Sequence, residues 1–241
     1  MTSVILYQMG KVGSSSLKGT LNHYKFKSLH IHRYFWTNNE RPVSLMPFLL
    51  KLKQNRILKK LLKAEKVKVI TFYRDPLPRN ISSFFQNLDI YFSKKERKNL
   101  SYEILKHKFN SSFRFHDTPN NWFDLELKRK LNLDIFEIPF DKEKGFVIIK
   151  KGSVEVFVCI TNKLNTLENE LAEFLEVDEF KLLSKNIGEE KWYRKHYKEF
   201  REKYKPTQEM LDQLYKSKTI NYFFTPNQIE TLRNKWLDDK A

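Results

Sequence analysis

Cysteine is nearly absent from this chain: Cys159 is the only one in 241 residues. That excludes an intrachain disulfide and a cysteine-based zinc cage, and its place in an apolar run predicts a buried, inert thiol. Long apolar stretches are missing too. No run of about 18 apolar residues occurs, so no membrane-spanning helix is expected. The first apolar segment follows the start at once, without the basic and apolar regions of a secretory leader. The expected location is the cytoplasm, or the inner face of an anionic membrane as a peripheral partner. No internal repeat and no low-complexity linker interrupts the sequence, so residues 1–241 read as a single domain. Negative charge is the scarce sign: 29 Asp and Glu against 45 Lys and Arg give +16. Such a field draws polyanions: nucleotides, nucleic acid, acidic glycans or an anionic membrane. The 31% charged content does not imply disorder, because 40% apolar residues recur throughout, with 20 Phe and 11 Tyr to fill a core.

What is present is concentrated near the start. Val4 to Tyr7 reads as a buried strand, Gly10, Lys11, Gly13 and Ser14–Ser16 follow, and Leu17 and Leu21 open a helical spacing. Strand, glycine-lysine-serine loop and helix make a cradle for an anion. Glycines let the backbone approach closely, the helix N-terminus aims its N–H groups outward, and the lysine adds a full charge. A phosphate-like group is therefore expected above Lys11, Val12, Gly13, Ser14, Ser15 and Ser16. The loop is not a Walker A motif, which needs Gly-Lys followed directly by Ser or Thr; here Lys11 precedes the second glycine. An ordinary glycine-containing strand–helix turn is the competing reading.

Further on, the pattern alternates. A helix over about 15–22 leads to a short strand, Leu29 to His32, which ends in His32-Arg33. Residues 33–43 read as a loop, Ser44 as the cap of a helix over 45–62, and Val67–Phe72 as the next strand. Three strands joined through helices predict a parallel sheet with right-handed crossovers, and ligands of such sheets gather at the carboxyl ends of the strands. After it, Arg74-Asp75-Pro76-Leu77-Pro78 reads as a helix-breaking stretch, with a helical pattern from Ser82 to Phe113. Asp117–Asn121 reads as a turn and Trp122–Leu131 as helix. Gly145–Lys150 and Ser153–Ile160 form a hairpin across Lys151-Gly152. Helices follow over Leu164–Leu175, Glu189–Tyr204 and Thr207–Leu214. Thr225-Pro226-Asn227-Gln228 is a capping box opening the last one.

Two motifs in this order carry a resemblance. Lys11-x-Gly13-Ser14-Ser15-x-Leu17 is similar to the 5′-phosphosulfate loop of sulfotransferases, Lys-x-Gly-Thr-Thr-x-Leu, with serines keeping the hydroxyls. Arg74, Pro76, Arg79 and Ser82 fit the family's Arg-x-Pro-x-x-Arg-x-x-Ser pattern for the 3′-phosphate. An arginine fork plus a hydroxyl suits a phosphate on physical grounds as well. Trp122-Phe123-Asp124-x-Glu126, Pro139–Gly145 and Lys191-Trp192-Tyr193 resemble segments of a bacterial sulfotransferase-like group linked to capsular polysaccharide synthesis. That group carries Asn-Lys-Trp-Tyr-Ser; here Glu190 and Arg194 flank Lys-Trp-Tyr. The resemblance implies an α/β fold with a P-loop-like parallel sheet flanked by helices and a helical C-terminal part. It implies transfer of a sulfuryl group from 3′-phosphoadenosine-5′-phosphosulfate (PAPS) to a hydroxyl of a glycan or glycolipid, without a metal.

In that reaction Lys11 would meet the charge that builds on the leaving phosphate. The acceptor hydroxyl needs a base of near-neutral pKa. Alternation along the strand puts His30 and His32 on one sheet face at the ligand edge; His30 is preferred and Glu40 held in reserve. The family's late basic loop over the nucleotide corresponds to Lys185 and Lys191, for which a solvated helix start is the alternative. Trp192, Tyr193 and Tyr197 suit either the core or stacking on adenine. Three other readings stay open: a P-loop-type kinase, a basic nucleic-acid-binding module (the less favoured partner), and an inactive sulfotransferase-like fold.

Overall fold

The computed structural model describes residues 3–33, 45–112, 116–183 and 191–237. In chain order come β1 (Ser3–Tyr7), α1 (Ser14–His23), β2 (Ser28–Ile31), α2 (Leu45–Leu61), β3 (Val67–Tyr73), α3 (Pro76–Gln86), α4 (Leu88–Tyr91) and α5 (Tyr102–Ser111). They are followed by α6 (Thr118–Trp122), a π-helical turn (Phe123–Lys128), α7 (Arg129–Leu131), β4 (Phe146–Lys151) and β5 (Val154–Ile160). The chain ends with α8 (Glu168–Leu175), α9 (Arg194–Lys203), α10 (Gln208–Tyr215), α11 (Lys218–Phe223) and α12 (Pro226–Asn234). These elements divide into two compact units, 1–73 with 122–185 and 74–121 with 186–241.

The first unit holds a five-stranded sheet in the order β2-β1-β3-β5-β4. β1 pairs parallel with β2 and with β3, and β3 pairs parallel with β5; only β4 runs antiparallel, against β5. The fold is thus mixed α/β with a mostly parallel sheet flanked by helices. Strands buried on both faces must be apolar almost throughout. Val4, Ile5, Leu6 and Tyr7 are fully buried, as is every residue of β3. The charged residue of β3 is instructive: Lys68 is 1% exposed. Its ammonium donates to the Phe174 carbonyl and pairs with Glu176 Oε1 at 3.0 Å, so the buried charge is compensated. The hairpin at Gly152 forms as expected, but its second strand also joins β3, which the local pattern did not indicate. Cys159 lies in β5 and is fully buried; desolvation raises its thiol pKa well above the usual range.

Two helix boundaries differ from expectation for one reason. Pro76 and Pro78 were expected to hold off a helix until Ser82, yet α3 begins at Pro76. First-turn N–H groups have no intrahelical acceptor, so proline costs little there. The same applies to Pro119, where α6 replaces the expected turn over Asp117–Asn121. The helical pattern to Phe113 is broken by a 3₁₀ turn over Glu96–Asn99. Of the expected helix from Leu164, the first part is a 3₁₀ segment over Thr161–Thr166. The Thr166 hydroxyl donates to the Lys163 carbonyl at 2.8 Å, a local bond that competes with the helix ladder.

The second unit is helical. Its core is aromatic: the Phe200 ring stands 5.3 Å from Phe85, 5.5 Å from Phe109 and 4.7 Å from Tyr204, within the range aromatic pairs prefer. The capping box at Thr225 and Gln228 closes in both directions. The expected helix over Glu189–Tyr204 is seen as α9, with Tyr204 as its cap. Ser44, Glu40, Lys185, Glu189 and Glu190 lie outside the described residues.

Candidate functional site

In the first unit, the chain leaves β1 through Gln8, whose N–H donates to the Ile31 carbonyl at 3.1 Å. It then turns sharply. Lys11 has φ 71° and Gly13 φ 87°, both left-handed, before α1 begins at Ser14. A lysine in that region is uncommon, and such positions concentrate at binding sites. At Gly13 the glycine is needed twice. Its φ suits no other residue well, and a Cβ there would lie 3.1 Å from the Thr161 methyl. Gly13 has no side chain to cap α1, and no acidic residue sits in the first turn, so the positive end of the helix is not neutralised locally.

Thr161, the first residue after β5, holds this turn in place. Its hydroxyl stands 2.9 Å from the Val12 carbonyl and 3.1 Å from that of Tyr73. One side chain therefore ties the loop after β1 to the end of β3. The sequence offers a weak signal for it: an apolar strand ending in a threonine at the carboxyl edge.

Beside this turn lie the two histidines. His30 pairs with Leu6 in the β1–β2 ladder, and His32 follows the strand. Their rings meet edge to face at 4.5 Å, as the alternation predicted. His32 Nδ1 lies 3.1 Å from the Gln8 carbonyl. A carbonyl only accepts, so Nδ1 carries the proton and Nε2 is the basic nitrogen. His30 is different. Burial, then the charges of His32 and Lys18, lower its pKa to about 4. Its Nε2 stands 3.5 Å from the buried Gln8 amide, and its carbonyl accepts from Gln54 at 2.9 Å.

Trp122 and the π-helical segment that follows it brace the same edge. The Trp122 indole N–H donates to the His32 carbonyl at 2.7 Å, and the Trp122 ring meets Tyr7 edge to face at 5.4 Å. The Tyr7 hydroxyl donates to Glu126 Oε2 at 2.5 Å, with both groups buried. π-turns of this kind occur often at functional sites. Trp122 and Glu126 stand out in the sequence as family-like residues, but only the fold gives them partners. Among the described residues no group of three or more His, Cys, Asp or Glu is placed to hold a metal, and no helix is long and apolar enough to cross a membrane.

The second unit carries the Arg74 motif. Arg74 directly follows β3 and is half-buried; Ser82 is half-buried in the second turn of α3. Asp75 caps α3, accepting from the Leu77 N–H at 3.4 Å and from the Tyr215 hydroxyl at 2.7 Å. Burial pushes the Asp75 pKa up to about 6, against those bonds and the Arg74 charge. Arg79 is nearly buried and donates to Asn80 at 3.0 Å. Lys191 is exposed just ahead of α9. Tyr193 and Tyr197 lean on Phe85 at 5.9 and 5.2 Å and are half-buried, whereas Trp192 is exposed.

A family model described as "NKWYS: Putative capsular polysaccharide synthesis protein" matches residues 115–225. The match takes in Trp122, Glu126 and the helices α9 to α11, and leaves the Lys11 and Arg74 motifs outside it. No curated protein and no solved structure matches the chain.

Proposed function

We propose that this protein is a PAPS-dependent sulfotransferase acting on a hydroxyl of a glycan or glycolipid in capsular polysaccharide synthesis. The observation that carries the reading is the left-handed turn Lys11–Gly13. It feeds an uncapped helix N-terminus, and Gln8, three residues before the turn, accepts a hydrogen bond from His32 Nδ1. The glycine at residue 13, where a Cβ would crowd Thr161, suits a backbone cradle for the 5′-phosphosulfate.

In this reading the acceptor oxygen attacks sulfur as the bond from sulfur to the bridging oxygen breaks. The acceptor proton passes to His32 Nε2, and the electron pair leaves with 3′-phosphoadenosine-5′-phosphate. Lys11 and the first-turn N–H groups of α1, including those of Ser14, Ser15 and Ser16, stabilise the negative charge on that oxygen. His32 is preferred over His30 as the base. A pKa of about 4 leaves His30 neutral but weakly basic at pH 7, whereas the ideal base titrates near the working pH. His30 then serves to hold the ring of His32. Arg74 and Ser82 are assigned the 3′-phosphate on their sequence spacing, with Lys185 and Lys191 as further nucleotide contacts.

The test is transfer of ³⁵S from labelled PAPS into the polysaccharide and lipid fraction of a capsulated cell envelope. The wild type should label it. Lys11→Ala should lower the rate about 10²- to 10³-fold, and His32→Ala should lower it about 10²- to 10⁴-fold. Label transfer that is independent of Lys11, or none from PAPS while ³²P moves from ATP, would refute the assignment.

A further inference from the structure

One exposed aromatic in the second unit has a setting that the nucleotide chemistry does not explain. Trp192 is 52% exposed. It is not loose: Tyr193 meets it edge to face at 5.7 Å, and Tyr193 in turn rests on the buried Phe85. The Arg97 guanidinium lies 5.7 Å from the indole centre, a cation–π contact that fixes the ring further. Two basic segments meet at this ring. Lys94, Lys95 and Lys98 flank Arg97 on one side and are all exposed. On the other, Arg194, Lys195, Lys198 and Arg201 are exposed on α9. Positions 194, 198 and 201 are spaced i, i+4, i+7, so they form one stripe along the helix. On the inner stripe Phe200 and Tyr204 are buried, and Tyr193 and Tyr197 are half-buried against Phe85. Glu199 pairs with Lys203 at 2.8 Å and also lies near Lys195, so the helix carries acid as well, but basic residues outnumber it.

We infer that this face docks a chain of acidic sugar residues, an inference that rests on the glycan reading above and gives its acceptor a sign of charge and a place. A flat indole, held from below, stacks against the C–H face of a sugar ring, while the basic stripe meets successive carboxylates. The surroundings disfavour two other polyanions. A membrane-binding helix turns an apolar face outward, but the outer face of α9 carries Arg194, Lys195, Lys198 and Arg201. Single-stranded nucleic acid uses several aromatic platforms for successive bases, but among the described residues of this face only Trp192 is an exposed ring; Tyr197 is half-buried against Phe85 and has the Arg201 guanidinium 5.8 Å from its ring. The stretch matched by the polysaccharide-synthesis family contains the whole of α9 and Trp192.

The experiment measures binding of the full chain to polygalacturonate, neutral dextran, polyuridylate and phosphatidylglycerol vesicles, each at low and physiological salt. Polygalacturonate should bind tightest and weaken as salt rises; dextran should not bind measurably. Trp192→Ala should weaken polygalacturonate binding about three- to tenfold. The double reversal Lys195→Glu with Lys198→Glu should weaken it at least about tenfold. The reversed variant should keep the wild-type thermal shift with 3′-phosphoadenosine-5′-phosphate, which shows it folded and separates this site from the nucleotide. Polygalacturonate binding no tighter than dextran, or unchanged in both variants, would overturn the proposal, as would tighter binding of polyuridylate or vesicles through these residues. Binding through Trp192 in a protein that ignores the nucleotide would leave this site standing and remove the sulfotransferase reading instead.

Discussion

Gly13→Ala is the sharpest local perturbation of the cradle, and its cost can be worked from the geometry. The new Cβ must accept φ 87°, where a left-handed conformation costs an L-residue about 1–2 kcal/mol. It must also fit 3.1 Å from the Thr161 methyl, tighter than ordinary contact, so Thr161 has to give by a few tenths of an ångström. That movement loosens a hydroxyl held by the Val12 and Tyr73 carbonyls, worth about 1 kcal/mol. The sum is about 2–3 kcal/mol, which in a chain of this size lowers Tm by about 4–12 °C. Thermal unfolding by circular dichroism reads it. Thr161→Ser removes the methyl and keeps the hydroxyl. In that background the alanine should therefore cost only the backbone part, and a double-mutant cycle should show a coupling of about 1 kcal/mol. A neutral Gly13→Ala, or a penalty unchanged by Thr161→Ser, would refute the account of this turn.

Trp122→Phe keeps a six-membered aromatic ring but removes the pyrrole part of the buried indole and with it the donor to the His32 carbonyl. Denaturant unfolding should show a loss of about 1–3 kcal/mol, and the His32 imidazole resonances should shift. Because the folded pKa of His30 is depressed, its contribution to stability is present above about pH 6.5 and is lost as pH falls through about 4. A pH series of unfolding midpoints should show that slope, and His30→Gln should flatten it. Asp75 has the opposite sign: its raised pKa makes its contribution present below the usual carboxylate value and lost as pH rises through about 6. Tyr215→Phe, by removing a bond that lowers this pKa, should move the Asp75 carbon titration to higher pH.

Much of the first unit was legible because its signals are local. Apolar runs gave β1, β2 and β3, alternation placed His30 and His32 side by side, and Gly10 to Ser16 announced a turn into a helix. The capping box at Thr225 was legible for the same reason. What sequence could not supply was pairing across distance. Thr161 acts on Val12 from 149 residues away, and β5 joins β3 through a register no local pattern encodes. Trp122 and Glu126 were visible as residue types but not as partners of His32 and Tyr7. The prolines at 76, 78 and 119 misled because a helix breaker in the interior is harmless in a first turn. The proposed preference for His32 over His30 draws on burial and a hydrogen-bond partner, neither of which is written in the strand itself.

The most direct measurement is calorimetric titration of the wild type and Arg74→Ala with 3′-phosphoadenosine-5′-phosphate in the absence of metal, beside ATP with magnesium. The proposed function predicts one nucleotide per chain for the wild type, loss of binding in Arg74→Ala, and no comparable heat from ATP. Binding of ATP with magnesium alone, or equal affinity in wild type and variant, would contradict it.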